Sequence, residues 1–397
     1  MAKPPLFNLG AWRNLDASGG GDSLLLPASH LVTHGVVVGM TGSGKTGLIT
    51  VLVEEALRSK VPTIVIDVKG DLPNLLLAFP SFDPALLVPW IDTGGPEAAP
   101  DAALEMARKL AEERRTQLAK WSIGEQELRE YVEGIHVRVL TPGVAAGELV
   151  HVLSPLEQRS TRWDTDRDSA RQSLSAAVSL VLRLLGRDAD PARSREHVLL
   201  SVLAERRLIN GENADLAALM QDLADPPVSE IGALSVDSFL RKSERSKLAA
   251  ALNTLLASPT FSSWREGAPL DIDSWVKPQG GKTPCVVVSV AHLDDEERAL
   301  VLGIVLEEIL SWVRGLRGTS RLRALLVFDE VYGFLPPHPA NPPTKRPLVS
   351  LMKQARAFGL GVVVATQNPM DLDYRALSNA GLWLLGRLQT DADRERV

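Results

Sequence analysis

Cysteine is almost absent: Cys285 is the only one in 397 residues. A chain with one cysteine can build no internal disulfide framework, which suits a reducing compartment. Cys285 lies inside the run CVVVSV and reads as a small packing residue. Basic charge is not in excess either. Lysine and arginine total 43 against 49 aspartate and glutamate, a net charge of −6. No global field therefore draws the chain to nucleic acid or an anionic membrane. This argues against a protein that coats DNA by bulk charge, but not against a ring whose cations line only a channel. No uninterrupted apolar run approaches the ~20 residues that cross a bilayer, so direct membrane insertion is not expected. The opening MAKPPLFNLG lacks the basic-then-apolar order of an export signal, and the expected location is the cytoplasm. Internal repeats are missing as well.

What is present is the texture of a soluble globular protein, with 45% hydrophobic and 23% charged residues. The first residues, with SGGGDS, are expected to be a mobile or loosely packed lead-in. HGVVVG (34–39) and PTIVID (62–67) are continuous apolar runs of the kind that parallel strands buried on both faces require. A Gly-rich turn and a helix from about Lys45 to Lys60 lie between them, so the order is strand, helix, strand. From about 97 to 280 helical periodicity dominates. Leu174, Ala177, Val178, Val181, Leu182 and Leu185 share one face of such a helix. IHVRVLTPG (135–143) interrupts this stretch as a strand. The strand pattern returns in CVVVSV, RALLVF, GVVVAT and LWLLGR. Asp294 and Glu297 stand at capping-box spacing before one intervening helix. Pro347 and Gly359 bracket another, with a proline-rich loop before it. The expected fold class is α/β: a mostly parallel sheet of the P-loop NTPase kind with flanking helices and a large, mostly helical insertion. The expected divisions are a lead-in over 1–30, a first core part over 31–96, the insertion over 97–280 lending a core strand near 135–141, and a second core part over 281–397.

GMTGSGKT (39–46) has the spacing of a phosphate-binding loop, with a strand before it and a helix after it. Backbone N–H groups must wrap a phosphate, so small residues are needed where the chain turns. The following helix aims its positive end at the anion. Gly39, Thr41, Gly42, Ser43, Gly44, Lys45, Thr46 and Gly47 are the candidate nucleotide-binding residues. Lys45 would neutralise terminal phosphates and Thr46 would hold Mg²⁺. LLVFDE (325–330) supplies the acid such a metal needs: Asp329 for the metal shell, Glu330 to orient and deprotonate a water. IDVKGDL (66–72) places Asp67, Lys69 and Asp71 at the carboxyl edge, where open α/β sheets bind ligands. For each of these three, a solvated turn explains the residue equally well. Gln367, at the end of GVVVATQNP, is either an ordinary loop residue or an amide placed to touch a phosphate and a water.

Taken together, THGVVVGMTGSGKTGL, IVIDVKGDLPNLL, LLVFDEVYGFLPP, KQARAFGLGVVVATQNPMDLDY and LSNAGLWLLGRLQTDADRERV resemble the HerA–FtsK superfamily of ring-forming P-loop motor ATPases, and within it the proteins with a HerA-type central domain. TPGVAAG and LNTLLASPTFSSW are similar to a HerA-like ATP-binding subfamily, so the resemblance runs from about residue 30 onward. It implies a RecA-like ATPase core, a homo-hexamer with ATP between neighbours, and ATP with Mg²⁺ as cofactors. Lys45 and Thr46 match the Walker A positions, Asp329 and Glu330 the Walker B pair, and Gln367 the sensor. Arg356 and Arg387 match family arginines; such motors often apply an arginine to a neighbour's nucleotide, and the match leaves open which of these two, if either, does so rather than being a solvated surface residue. HerA itself carries an N-terminal β-barrel, for which about 30 residues are too few. The chain also stops at DADRERV, where the family continues, so a C-terminally truncated chain is expected.

The resemblance implies Mg-dependent ATP hydrolysis coupled to DNA translocation or unwinding; on that reading Lys345 and Arg346 of the proline-rich loop are candidate channel residues, and otherwise they are two solvated cations of a surface loop. Three alternatives stand beside it: a protein-translocation or secretion-type ATPase, an antiviral-defence ATPase working with a nuclease or other effector, and a nucleotide-dependent scaffold.

Overall fold

The computed structural model describes residues 5–14, 20–92, 101–369, 372–388 and 394. Within the expected lead-in, residues 6–13 and 20–27 form two strands. Strands β1 (Leu6–Arg13) and β2 (Gly20–Pro27) pair antiparallel, with Phe7 opposite Leu26. Phe7 is fully buried, and burying such a ring contributes about 1.5–3 kcal/mol. Two register shifts, between Asn8 and Ala11 and between Ala11 and Arg13, break the alternation that would have marked β1 as a strand.

β3 (Gly35–Val38) leads into α1 (Lys45–Arg58), and β4 (Thr63–Asp67) follows. Ile49, Leu52, Val53, Ala56 and Leu57 of α1 cover one face of the sheet together with Phe7 and Leu26. Asn8 N donates to Glu55 Oε2 at 2.8 Å, tying the hairpin to that helix. α2 (Ala102–Ala119) and α3 (Glu125–Gly134) then precede β5 (Ile135–Leu140). The insertion continues through α4 (Arg167–Leu184), α5 (Arg195–Ile209), α6 (Leu216–Ala224) and α7 (Lys242–Ala257). β6 (Thr283–Ser289), α8 (Asp295–Arg314), β7 (Ala324–Asp329), α9 (Lys345–Gln354), β8 (Leu360–Thr366) and β9 (Leu382–Leu385) complete the order. The capping box of α8 forms: Glu297 N donates to Asp294 Oδ1 at 2.8 Å and Asp294 N to Glu297 Oε2 at 3.2 Å. α9 starts two positions before Pro347 and passes into a 3₁₀ turn, Ala355–Phe358, before Gly359.

The main sheet has seven strands in the order β9-β3-β8-β7-β4-β6-β5, and every neighbouring pair is parallel. Both faces are covered, which is why the strands are continuous apolar runs. In β7, Leu325 and Val327 join the α1 side, while Leu326 and Phe328 join the α8 side. Insertion residues Leu174, Val178 and Val181 belong to the same apolar cluster as Val301, Ile304 and Leu326. The insertion thus extends the core on the α8 side rather than enclosing a separate one. The C-terminal phrase TDADRERV lies outside the described residues apart from Arg394.

Candidate functional site

Strand order assembles the site. β8 lies between β3 and β7, and β4 lies on the other side of β7. Their carboxyl ends release four segments side by side: the loop 39–44 after β3, Gln367 after β8, Glu330 after β7 and Lys69 after β4.

The loop turns sharply into α1. Gly44 has φ +89°, which a side chain would strain, and a Cβ on Gly39 would lie 2.4 Å from Ser43 Oγ. Lys45 is buried and donates from Nζ to Gly39 O at 2.6 Å, lying back along the loop. Burial lowers its pKa and Lys69 lowers it further, while Glu330 and Asp329 oppose both. Thr41 Oγ1 donates to Gln367 Oε1 at 2.8 Å.

Glu330 takes φ +63° directly after β7, a left-handed conformation that costs a non-glycine residue on the order of 1–3 kcal/mol. The turn leaves it almost fully buried among donors. Its Oε2 accepts from Gln367 Nε2 at 2.8 Å and from Lys69 Nζ at 2.8 Å. Its Oε1 is buried and makes no hydrogen bond. Asp329 is buried as well, with Oδ2 unpaired. Burial raises its pKa, as do the Glu330 and Asp67 carboxylates, against the pull of Lys69 and Lys45. Asp67 is fully buried, but both of its oxygens are engaged: Oδ1 accepts from Gly70 N at 2.9 Å and Oδ2 from Ser289 Oγ at 2.8 Å. Asp67 therefore braces the edge, while Asp329, like Glu330, keeps an unpaired oxygen. Among the described residues no group of three or more His, Cys, Asp or Glu could hold a metal. One acid and one hydroxyl, Asp329 and Thr46, suit Mg²⁺, which keeps water and phosphate oxygens in its shell.

The two arginines lie at different places. Arg387 is exposed just after β9, and its carbonyl accepts from Met40 N at 2.8 Å, so it stands beside this chain's own phosphate loop. Arg356 is exposed in the 3₁₀ turn before β8, at the opposite edge of the sheet. There it lines a cavity of about 520 Å³ with Lys353, Ser29, Thr33, Thr319 and Ser320, and no carboxylate lines that cavity. The channel expectation for Lys345 does not hold. Its side chain is buried and pairs with Asp373 at 3.1 Å, because the proline-rich loop folds back under the segment that follows β8. Arg346 is half exposed and bonds Glu307 at 2.8 Å. Asp71 precedes a 3₁₀ turn, Leu72–Leu76, and caps it with no side-chain hydrogen bond. Lys69 is the residue whose place the sequence left open. Its one available signal was its position in IDVKGDL, just past an apolar strand.

Residues 23–134 match the family described as helicase HerA, central domain. The phosphate loop and IDVKGD both fall inside that match, and the acids and glutamine that close the site lie on neighbouring strands of the same sheet. The matched part of the chain is similar to the HerA central domain, and the seven-stranded parallel sheet with flanking helices is a P-loop NTPase fold. The fold is similar to that of VirB4 from Thermoanaerobacter pseudethanolicus, with 15% identity, a TM-score of 0.53, and coverage of 100% of this chain and 87% of that one. It is also similar to the plasmid coupling protein TrwB in complex with the non-hydrolysable ATP analogue ADPNP, at 16% identity and a TM-score of 0.43, covering 90% of this chain and 69% of TrwB. With TrwB in complex with ADP and Mg²⁺ the figures are 15%, 0.42, 87% and 66%. No curated protein sequence matches the chain. No helix among the described residues is long and apolar enough to cross a membrane.

Proposed function

We propose that this chain hydrolyses Mg–ATP as one subunit of a homo-oligomeric ring and uses the energy to translocate or unwind DNA. The observation that carries the catalytic part is the run of 2.8 Å contacts from Thr41 through Gln367 to Glu330 at one sheet edge, with Lys45 on the same loop as Thr41 and Asp329 next to Glu330 in the chain. The HerA family match supports the DNA part.

Mg²⁺ held by Asp329 and Thr46 would neutralise phosphate charge; the remaining tasks belong to side chains. Lys45 leaves Gly39 O to meet the terminal phosphates. Glu330 presents Oε1 to the attacking water and takes its proton, with Gln367 beside it to register the terminal phosphate. Arg387 stands at the subunit's own loop. Arg356, on the far edge, can serve only a neighbour's nucleotide, and its carboxylate-free cavity suits an anion. We assign the trans role to Arg356 on that ground.

The test is ATP turnover of the assembled protein with and without duplex DNA, as salt is varied. Stimulation by DNA that falls steeply with salt is expected, because contacts to backbone phosphates release counterions. The net charge of −6 favours keeping a second reading, a protein-translocating ATPase. Stimulation by an unfolded polypeptide and none by DNA at low salt would replace the first reading with the second.

A further inference from the structure

Glu330 is held from two sides, neither of them anticipated from the sequence. Gln367 arrives from β8. Lys69 arrives from β4, just before Gly70, whose N–H is pinned by Asp67 Oδ1 at 2.9 Å. Both donate to the same oxygen, Oε2, at 2.8 Å. Oε1 is left buried and unpaired. A carboxylate carries about four lone-pair sites. Two donors on one oxygen fix the plane of the carboxyl group and leave the other oxygen's lone pairs unused.

We propose that Lys69 is a positioning residue for hydrolysis: it clamps Glu330 Oε2 so that Oε1 is the oxygen offered to the attacking water. The inference rests on the reading of Glu330 as the base and adds to it. A lone hydrogen bond from Gln367 lets the carboxylate rotate about its terminal bond. The second, charged donor on the other side removes that freedom, and charge-assisted bonds are roughly twice as strong as neutral ones. The strained backbone of Glu330, at φ +63°, is held in the same way. The Lys69 side chain keeps about 39% of its exposure and packs no core, so its removal leaves the fold intact.

The experiment compares Lys69→Met, Lys69→Arg, Glu330→Gln and the Lys69→Met/Glu330→Gln double variant in the full-length oligomer, each checked for its thermal transition and for binding of a fluorescent ATP analogue. Lys69→Met is expected to lower kcat on the order of 10–100-fold, the cost of a misplaced reacting group, with KM and analogue affinity unchanged. Lys69→Arg, which keeps the charge and a donor, is expected to recover part of that loss. In the Glu330→Gln background, Lys69→Met is expected to cost nothing further, because groups that act as one unit are not additive. Wild-type kcat in Lys69→Met overturns the clamp. So does a loss that multiplies with that of Glu330→Gln, since Lys69 would then act on the phosphates independently. If Glu330→Gln itself hydrolyses at the wild-type rate, the assignment of the base fails instead, and the clamp fails with it.

Discussion

Gln367 and Glu330 meet across two strands: the Gln367 amide donates to Glu330 Oε2 at 2.8 Å, and its own oxygen accepts from Thr41 Oγ1 at 2.8 Å. One side chain thus spans the gap between the phosphate loop and the acid. A nucleotide that displaces Thr41 from Gln367 also disturbs what Gln367 does to Glu330, which links occupancy of the loop to the geometry of the base.

Replacing Gln367 with Ala should therefore leave ATP binding intact and separate turnover from substrate. Binding is read by fluorescence titration, and turnover by phosphate release with and without DNA. Normal, fully coupled turnover would return Gln367 to the status of a loop residue.

Glu330→Gln keeps the shape and both hydrogen-bond partners but lacks the basic oxygen. Turnover should fall by on the order of 10²-fold or more while the analogue still binds. Lys45→Ala should abolish nucleotide binding or turnover. Tight Mg–ATP binding with full turnover in Lys45→Ala would refute its place at the phosphates.

The arginines are separated by mixing. Arg356→Ala and Lys45→Ala subunits, each inactive alone, should regain activity when assembled together, because a site with Lys45 can borrow Arg356 from its neighbour. The same mixture made with Arg387→Ala should stay inactive if that residue serves its own loop. Rescue by Arg387→Ala and not by Arg356→Ala would reverse the assignment.

Acid should loosen the fold through His34. Its Nδ1 accepts from Val362 N at 3.1 Å inside the core, and burial, with the Arg356 charge, lowers its pKa from 6.5 to about 4. Between those values the unfolded chain binds the proton and the folded chain does not. The stabilisation is complete above about 6.5 and is lost as pH falls towards about 4, on the order of 3 kcal/mol across the window. Asp373, lowered to about 2 by hydrogen bonds from Arg375 and Lys345, adds its loss at lower pH. His34→Asn tolerates the φ of +65° and offers an amide oxygen to Val362 N, so its denaturation midpoint should change less between pH 6.5 and 4. An unchanged slope would place the acid sensitivity elsewhere.

Contiguous features were legible in the sequence. GMTGSGKT announces its loop because the chemistry sits within a few neighbouring residues, and each turn there demands a small one. The core strands announce themselves because burial on both faces requires unbroken apolar runs. The β1–β2 hairpin was not legible, because glycines and two register shifts hide its period of two. Lys345 read as a channel cation because proline-rich loops are ordinarily solvated, and only the packing brings Asp373 to it. The relations that make the site were beyond the sequence for one reason: strands adjacent in the sheet are not adjacent in the chain. Thr41 and Gln367 touch across a separation of 326 residues, and Lys69 and Glu330 across 261. Local pattern set which residue types stand at strand ends. The order β9-β3-β8-β7-β4-β6-β5, set by how the two faces bury themselves, decided which of those ends face one another.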